Sequence, residues 1–358
     1  TICGGLIMKT KRLYYIDVLN CIAIIFVLFL HSTQLAHTGN TNLSHYRLAL
    51  VIQSICYPAV YIFFMNSGAT LLDYRKKYST TIFFKKRVYR VLIPFLAWSL
   101  IYYFYSISHI AYPGTTIQSH PSFINFIKAF VNNDINALFW FFYTILALYL
   151  IVPIVSSLVE NHLNTLFYIV VMFFLCSNGL QFISNLTGIN FRTSFISQPL
   201  ISSSYLGFFI VGYLIKVNYF NNRQQIILII IGMTSLMLNL VNDLFYGKIQ
   251  LFNNMDPFLY SVGIYLLIKM MVEKFPNNKI KIFTTLSGAS LGIYVLHPFI
   301  YEVMDKYVYG ATADNWQSFL HLMNNPIYML SLPIVTYFIL TPTILLLKRI
   351  KLTRVFIP

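Results

Sequence analysis

The chain has 358 residues, of which 58% are hydrophobic and only 10% charged, and its mean hydropathy is +0.68. A soluble globular domain sits nearer half apolar and a quarter charged, so this composition excludes a water-soluble enzyme. The net charge of +15 comes from 25 Lys and Arg against 10 Asp and Glu. Membrane topology and anionic headgroups account for that excess, and nucleic acid is not an expected partner.

The stretch MKTKR, from Met8, reads as a natural start, with the seven residues before it as an upstream extension. Lys9, Lys11 and Arg12 then precede an apolar run too long for a removed signal peptide and lacking an Ala-x-Ala-like site. At about 20 apolar residues per crossing, ten spans are predicted: 14–36, 48–72, 88–108, 138–159, 164–184, 200–217, 225–245, 256–274, 284–303 and 326–347. The fold class is an all-α integral membrane protein, a bundle of about ten transmembrane helices with N- and C-termini cytoplasmic. With the N-terminus inside, cytoplasmic segments hold all Lys and Arg except Arg47, Lys128, Arg192, Lys248 and Lys306, which is the positive-inside pattern. Residues 1–13 and 348–358 are then cytoplasmic tails flanking one membrane domain, 14–347.

Span one, YYIDVLNCIAIIFVLFLHSTQ, carries Asp17, Asn20 and His31. At 1.5 Å per residue His31 lies about 21 Å beyond Asp17, and at 100° per residue the two are about 40° apart around the helix. Asn20 is about 20° from His31. All three share a face that must point into the bundle, because lipid cannot solvate them. A histidine that merely pins a neighbouring helix is the plain alternative. Span two ends with Asn66, Ser67 and Gly68, a small polar step that admits close approach by a backbone or a ligand.

Span three opens with FFKKRVYR. Arg87 and Arg90, three apart, form one basic face on a helix with Lys85 and Lys86 beside it. Guanidiniums at that spacing suit phosphate oxygens, although lipid phosphate satisfies the same chemistry. The loop 109–137 contains SFINFIKAFVN, an amphipathic stretch that is either an acceptor-facing lid or a structural connection. Trp140 opens span four at the outer interface, where aromatic belts sit. Span nine holds Tyr294 and His297, the latter at a depth close to that of His31, and Pro298 is expected to kink it. Cys3, Cys21, Cys56 and Cys176 have no pair spacing and read as small apolar packers, with no metal site.

Taken in order, these motifs resemble the acyltransferase 3 family, membrane enzymes that mostly O-acylate cell-envelope carbohydrates. IDVLN with His31 resembles its first-helix motif, Ser67-Gly68-Ala69 its Ser-Gly-Phe, and Arg87, Arg90 and Pro94 its Arg-x-x-Arg-x-x-x-Pro. WFFYTILALYLIVP around Trp140, and Tyr294 with His297, complete the set. The resemblance implies acyl transfer from cytoplasmic acyl-coenzyme A, acetyl-coenzyme A by default, to a sugar hydroxyl outside a bacterial cytoplasmic membrane. It casts acyl-coenzyme A as donor substrate, with no permanently bound cofactor. The acceptor it implies is a capsular or exopolysaccharide or a lipid-linked sugar, with membrane lipids and polysaccharide-synthesis machinery as partners.

In that family's terms His31 is a general base or transient acyl carrier, accompanied by Asp17 and Asn20. Arg87, Arg90 and Lys86 hold coenzyme A phosphates. Ser67 and Gly68 line the pantetheine path, and Tyr294, His297 and Trp140 support. Two positions depart from the pattern: Asn20 stands where the family has Arg, and Ala69 where it has an aromatic residue. The cationic role then falls to another Lys or Arg, or the activity is altered. The competing classes are an exporter of polysaccharide or lipid-linked intermediates, and a scaffold subunit of a synthase complex. An exporter is expected to show repeat symmetry, for which the sequence gives no convincing pair.

Overall fold

The computed structural model describes residues 12–108, 121–179, 183, 187–189, 205–246, 256–274, 281–311, 315–351 and 353–357. Every regular element among them is helical, as required where lipid offers backbone groups no partner. The predicted basic start at Lys9 and Lys11, the first part of the loop 109–137 and Ser202 to Ser204 of the sixth span lie outside the described residues.

The first helix, α1 (Tyr14–Ser32), is buried almost all round, with Leu19, Ala23, Ile24, Val27 and Leu28 sealed from solvent. A helix apolar on every side needs protein on every side. Its neighbours come from both halves of the chain. They are α2 (Tyr46–Cys56) and α3 (Ala59–Leu71) from the first half. From the second come α11 (Asp256–Glu273), α12 (Lys281–Ser287), α13 (Ser290–Val303) and α15 (Pro326–Leu347). Between them the chain forms α4 (Thr80–Arg87), α5 (Ile93–Ser108), α6 (Phe123–Val131), α7 (Trp140–Ser156), α8 (Leu163–Phe174), α9 (Leu206–Lys216) and α10 (Asn222–Val241). A short helix, α14 (Trp316–Met323), precedes the last.

Among the described residues six helical runs are long and apolar enough to cross a membrane, and the bent pair Lys281–Ser287 and Ser290–Val308 makes a seventh. The expected ten are therefore not all present as full-length crossings among the described residues. Leu163–Gly179 and Leu206–Lys216 are apolar but short. Helix α11 carries Asp256, Lys269 and Glu273 within its 18 residues. A bend not read from the sequence precedes Pro298. Helix α13 runs through Pro298 to Val303, whereas the 54° bend lies at Gly288 and Ala289. There the amides turn back to Thr285 and Leu286, three residues away, and interrupt the α-helical ladder.

Side-chain bonds fix how the central helices run. Asp17 meets Thr284, Asn20 meets Ser287 and His31 stacks on His297, in the same order along both segments, so α1 and α12–α13 are parallel. Helix α15 opposes them. Ser32 Oγ donates to the Met329 carbonyl (2.8 Å) near its start, and Lys348, just past its end, donates to the Gly288 carbonyl (2.7 Å). The α2–α3 arm opposes α1 too, since Gln53 reaches Leu30 and Asn66 reaches Asn20. The bundle thus has a basic end, with Arg12, Lys86 and Lys348, and a histidine end.

One helix crossing, α3 on α9, needs a glycine from each helix for contact. A Cβ on Gly68 of α3 would lie 1.7 Å from the Phe209 carbonyl oxygen of α9, and one on Gly212 would lie 2.1 Å from that of Met65. Backbone meets backbone there, which only a residue without a side chain permits.

Candidate active site

The two intramembrane histidines, expected at similar depth, face each other. Their rings stack with centroids 5.0 Å apart and planes 28° from parallel. His297 is fully buried, and its Nδ1 lies 2.7 Å from the Tyr294 carbonyl oxygen. A carbonyl can only accept, so Nδ1 carries the hydrogen and Nε2 presents its lone pair. That Nε2 is buried and meets no hydrogen-bond partner among the described residues. Tyr301 packs its ring edge-on at 5.5 Å and donates its hydroxyl to the Leu28 carbonyl, tying α13 to α1 at this level. His31, partly buried, has Gln34 Nε2 3.4 Å from its Nδ1.

The ring of His31 is held by the local ending of α1. The helix stops at Ser32, and the carbonyls it leaves without partners are capped by Gln53, whose Nε2 donates to Leu30 O (2.7 Å), Thr33 O and Thr33 Oγ1 (3.0 Å). A 3₁₀ turn, Gln34–His37, then carries the chain across the end of the bundle.

Asp17 and Asn20 share His31's face as expected but lie far down it, toward the basic end. Asp17 is clamped by Arg12 (2.8 and 2.9 Å) and by Thr284 Oγ1 (3.0 Å). Asn20 is a bridge: it accepts from Asn66 Nδ2 (2.9 Å), donates to Ser287 Oγ (3.1 Å), and its carbonyl accepts from Ser290 (3.3 Å). Eleven residues separate it from His31, about 16 Å of helix.

Asn20 lines a cleft of about 220 Å³ that reaches from the basic end into the bundle. Asn66, Ser67, Thr70, Ser287 and Ser290 supply its polar wall, and Phe63, Phe141, Phe142 and Tyr149 its apolar one. Asn66 Oδ1 is buried without a partner among the described residues. Gly68 lies on the far side of α3 against α9, so its role is close packing and not lining. Tyr294 packs between the cleft's aromatic wall and the histidines: its ring contacts Phe141 (5.3 Å), Phe142 (5.9 Å) and His297 (6.0 Å), and its hydroxyl donates to the Leu138 carbonyl. Trp140 stands back from this, packed on Tyr205 (5.4 Å) and Phe64 (6.5 Å).

The basic residues of the third predicted span do not form one fork. A π turn, Val88–Leu92, joins α4 to α5 and rotates Arg90 and the helix beyond it around the axis. Arg87 turns inward over Phe83 (5.6 Å) and Tyr149 (5.5 Å), the latter a cleft residue, and its buried Nε meets no acceptor among the described residues. Arg90 is exposed, and Lys86 lies 3.8 Å over the Tyr78 ring. Sequence reasoning missed Gln34, Tyr149, Ser287 and Ser290 as site residues. Ser287 and Ser290 had a faint signal, being one helical turn apart and just ahead of Tyr294.

A family model described as an acyltransferase domain matches residues 13–347, nearly the whole chain. The chain belongs to the acyltransferase 3 family. No curated protein and no solved structure matches it significantly. Membership in the acyltransferase 3 family, with several apolar helices of membrane length, makes the chain a multi-pass membrane acyltransferase.

Proposed function

We propose that the protein moves an acyl group, acetyl by default, from cytoplasmic acyl-coenzyme A to a hydroxyl of an extracytoplasmic envelope glycan, at the stacked pair His31 and His297. The observation that carries this reading is the pair itself, which joins two imidazoles from opposite ends of the sequence and leaves one buried lone pair without a partner among the described residues. A buried acceptor atom of that kind is costly unless a substrate donor completes it.

The donor enters from the basic end, and the positive-inside rule supports that end as the cytoplasmic one. A cleft of about 220 Å³ is smaller than the roughly 300–1,000 Å³ of a pocket that swallows a whole small molecule. It suits a slender pantetheine arm, with the nucleotide left outside. Asn66 Oδ1 then accepts an amide N–H of the arm, Ser67 and Thr70 offer hydroxyls beside it, and Arg87 Nε–H meets a phosphate oxygen. Arg87 also takes over the cationic part that Asn20 cannot play. Lys86 and Arg90 stay at the mouth.

At the histidine end, His297 Nε2 or His31 takes the proton of the attacking hydroxyl as its oxygen bonds to the acyl carbon. The coenzyme A thiolate leaves and is protonated from the same imidazolium. A two-step route through an acyl-imidazole on His31 uses the same atoms. Tyr294 orients His297 through its backbone carbonyl and separates the cleft from the histidines, so it must swing aside for the acyl group.

The test is His31→Ala in cells lacking their own copy of the gene, scoring alkali-labile acyl groups on the envelope glycan. Loss of the esters with normal protein level and normal glycan export is expected. Esters retained by the variant would overturn the assignment, and loss of glycan export instead of esters would identify an exporter.

A further inference from the structure

A second cleft lies at the histidine end, and the acyl-transfer chemistry above does not use it. It measures about 420 Å³, within the range of pockets that hold a small molecule. One wall is the turn after α1, with Gln34, His37, Thr38 and Asn40. The other is α14, with Trp316 and Phe319. Gln34 is shared with the catalytic pair, its amide nitrogen 3.4 Å from His31 Nδ1, so the cleft ends one side chain away from the imidazole.

Three features narrow the occupant. Among the described residues no Asp, Glu, Lys or Arg lines the cleft, so apart from His37 nothing there compensates a charged ligand. Trp316 is 54% exposed and contacts Phe319 at 6.3 Å on one side, which leaves a broad apolar ring facing the opening. Opposite it, Gln34 Oε1 and Asn40 Nδ2 are an acceptor and a donor with no partner among the described residues. An apolar ring facing amide and hydroxyl groups matches the two faces of a neutral sugar, whose C–H face stacks while its hydroxyls bond.

The walls are also pre-set. His45 N donates to Asn324 Oδ1 (3.0 Å) and His45 Nδ1 donates to Asn324 O (2.7 Å), which joins the chain below one wall to the end of α14. Asn315 Oδ1 caps α14 at Ser318 N (3.2 Å) and fixes the helix that carries Trp316.

We propose that the cleft between the Gln34–Asn40 turn and α14 is the acceptor subsite, binding one neutral sugar unit stacked on Trp316 with a hydroxyl directed past Gln34 toward His31. This rests on the acyltransferase reading and adds to it where the acceptor sits and that its reacting unit carries no charge.

The experiment uses the full chain in lipid nanodiscs and short neutral oligosaccharides cut from the producing cell's envelope polysaccharide and freed of esters by alkali. Binding is measured directly, and acyl transfer from acetyl-coenzyme A is measured in parallel. Trp316→Ala is expected to raise both the Kd and the KM for the oligosaccharide about tenfold with kcat little changed, and Trp316→Phe to restore most of the loss. Trp98→Phe, which lies outside the cleft, serves as control and is expected to bind like the wild type.

Unchanged oligosaccharide binding in Trp316→Ala, or no binding by the wild type, would overturn the subsite. So would a Trp316→Ala defect confined to membrane attachment, which would make this ring an interfacial anchor only. Intact sugar binding that Trp316→Ala weakens, without any acyl transfer by the wild type, would leave the sugar site standing and refute the acyltransferase reading instead.

Discussion

At the residue scale the account rests on a few polar atoms in an apolar bundle. His297 has one nitrogen committed to the Tyr294 carbonyl and the other buried without a partner among the described residues. Removing a general base lowers rate by about 10²–10⁴-fold. His31→Ala and His297→Ala are therefore each expected to lower kcat in that range, with the melting temperature measured alongside to separate chemistry from folding. If only one of them does so, that histidine is the base and the other is its packing neighbour.

Asn20 makes the opposite kind of prediction. It answers Asn66 and Ser287 at once, so Asn20→Ala strands the buried Asn66 amide and the partly buried Ser287 hydroxyl and is expected to cost about 1–3 kcal/mol of stability, read from unfolding in detergent. Arg87→Ala is expected to raise the donor KM about tenfold while leaving the acceptor KM unchanged, and Arg87→Lys to recover only part of it. A donor KM that does not move would place the coenzyme A phosphates elsewhere on the basic end.

At the element scale, helix crossings and helix breaks position these atoms. The α3–α9 contact leaves no room for a side chain at Gly68 or Gly212. Gly68→Ala is expected to destabilise by about 1–3 kcal/mol or more through forced separation of the two backbones. It also displaces Ser67 from the cleft, so the donor KM should rise as the melting temperature falls.

Much of this is legible in the sequence, and the reasons differ from residue to residue. The common face of Asp17, Asn20 and His31 comes from helical turn alone, and the structure keeps it by setting all three against Thr284, Ser287 and His297. The separation of Arg87 from Arg90 is not legible, because a π turn changes the helical phase without a sequence signature. The bend at Gly288 is not legible, since a pair of three-residue-back bonds breaks the ladder there without the proline that marks a break in sequence. The amphipathic stretch in the loop 109–137 is helix α6, with Phe126 and Ala129 buried and Phe123, Ile124 and Val131 exposed. An apolar face of that kind suits a helix lying in the lipid interface.

At the scale of the whole molecule, α1 is the axis around which both chain halves pack, and the proposed function puts the donor at one end and the acceptor at the other. The positive-inside rule proposes the basic end as the cytoplasmic one. With Cys3 replaced by Ser and the buried Cys21, Cys56 and Cys176 kept, Thr41→Cys should react with an impermeant thiol reagent from outside intact cells. Lys76→Cys should react only after the cells are broken. The reverse pattern would invert the whole scheme.

The most direct test of the central claim is transfer by the purified chain in proteoliposomes, with radiolabelled acetyl-coenzyme A on the basic side and ester-free envelope glycan on the histidine side. Alkali-labile label is expected on the glycan with the wild type and none above background with His31→Ala. Equal labelling by the two proteins, or glycan crossing the membrane without label, would contradict it.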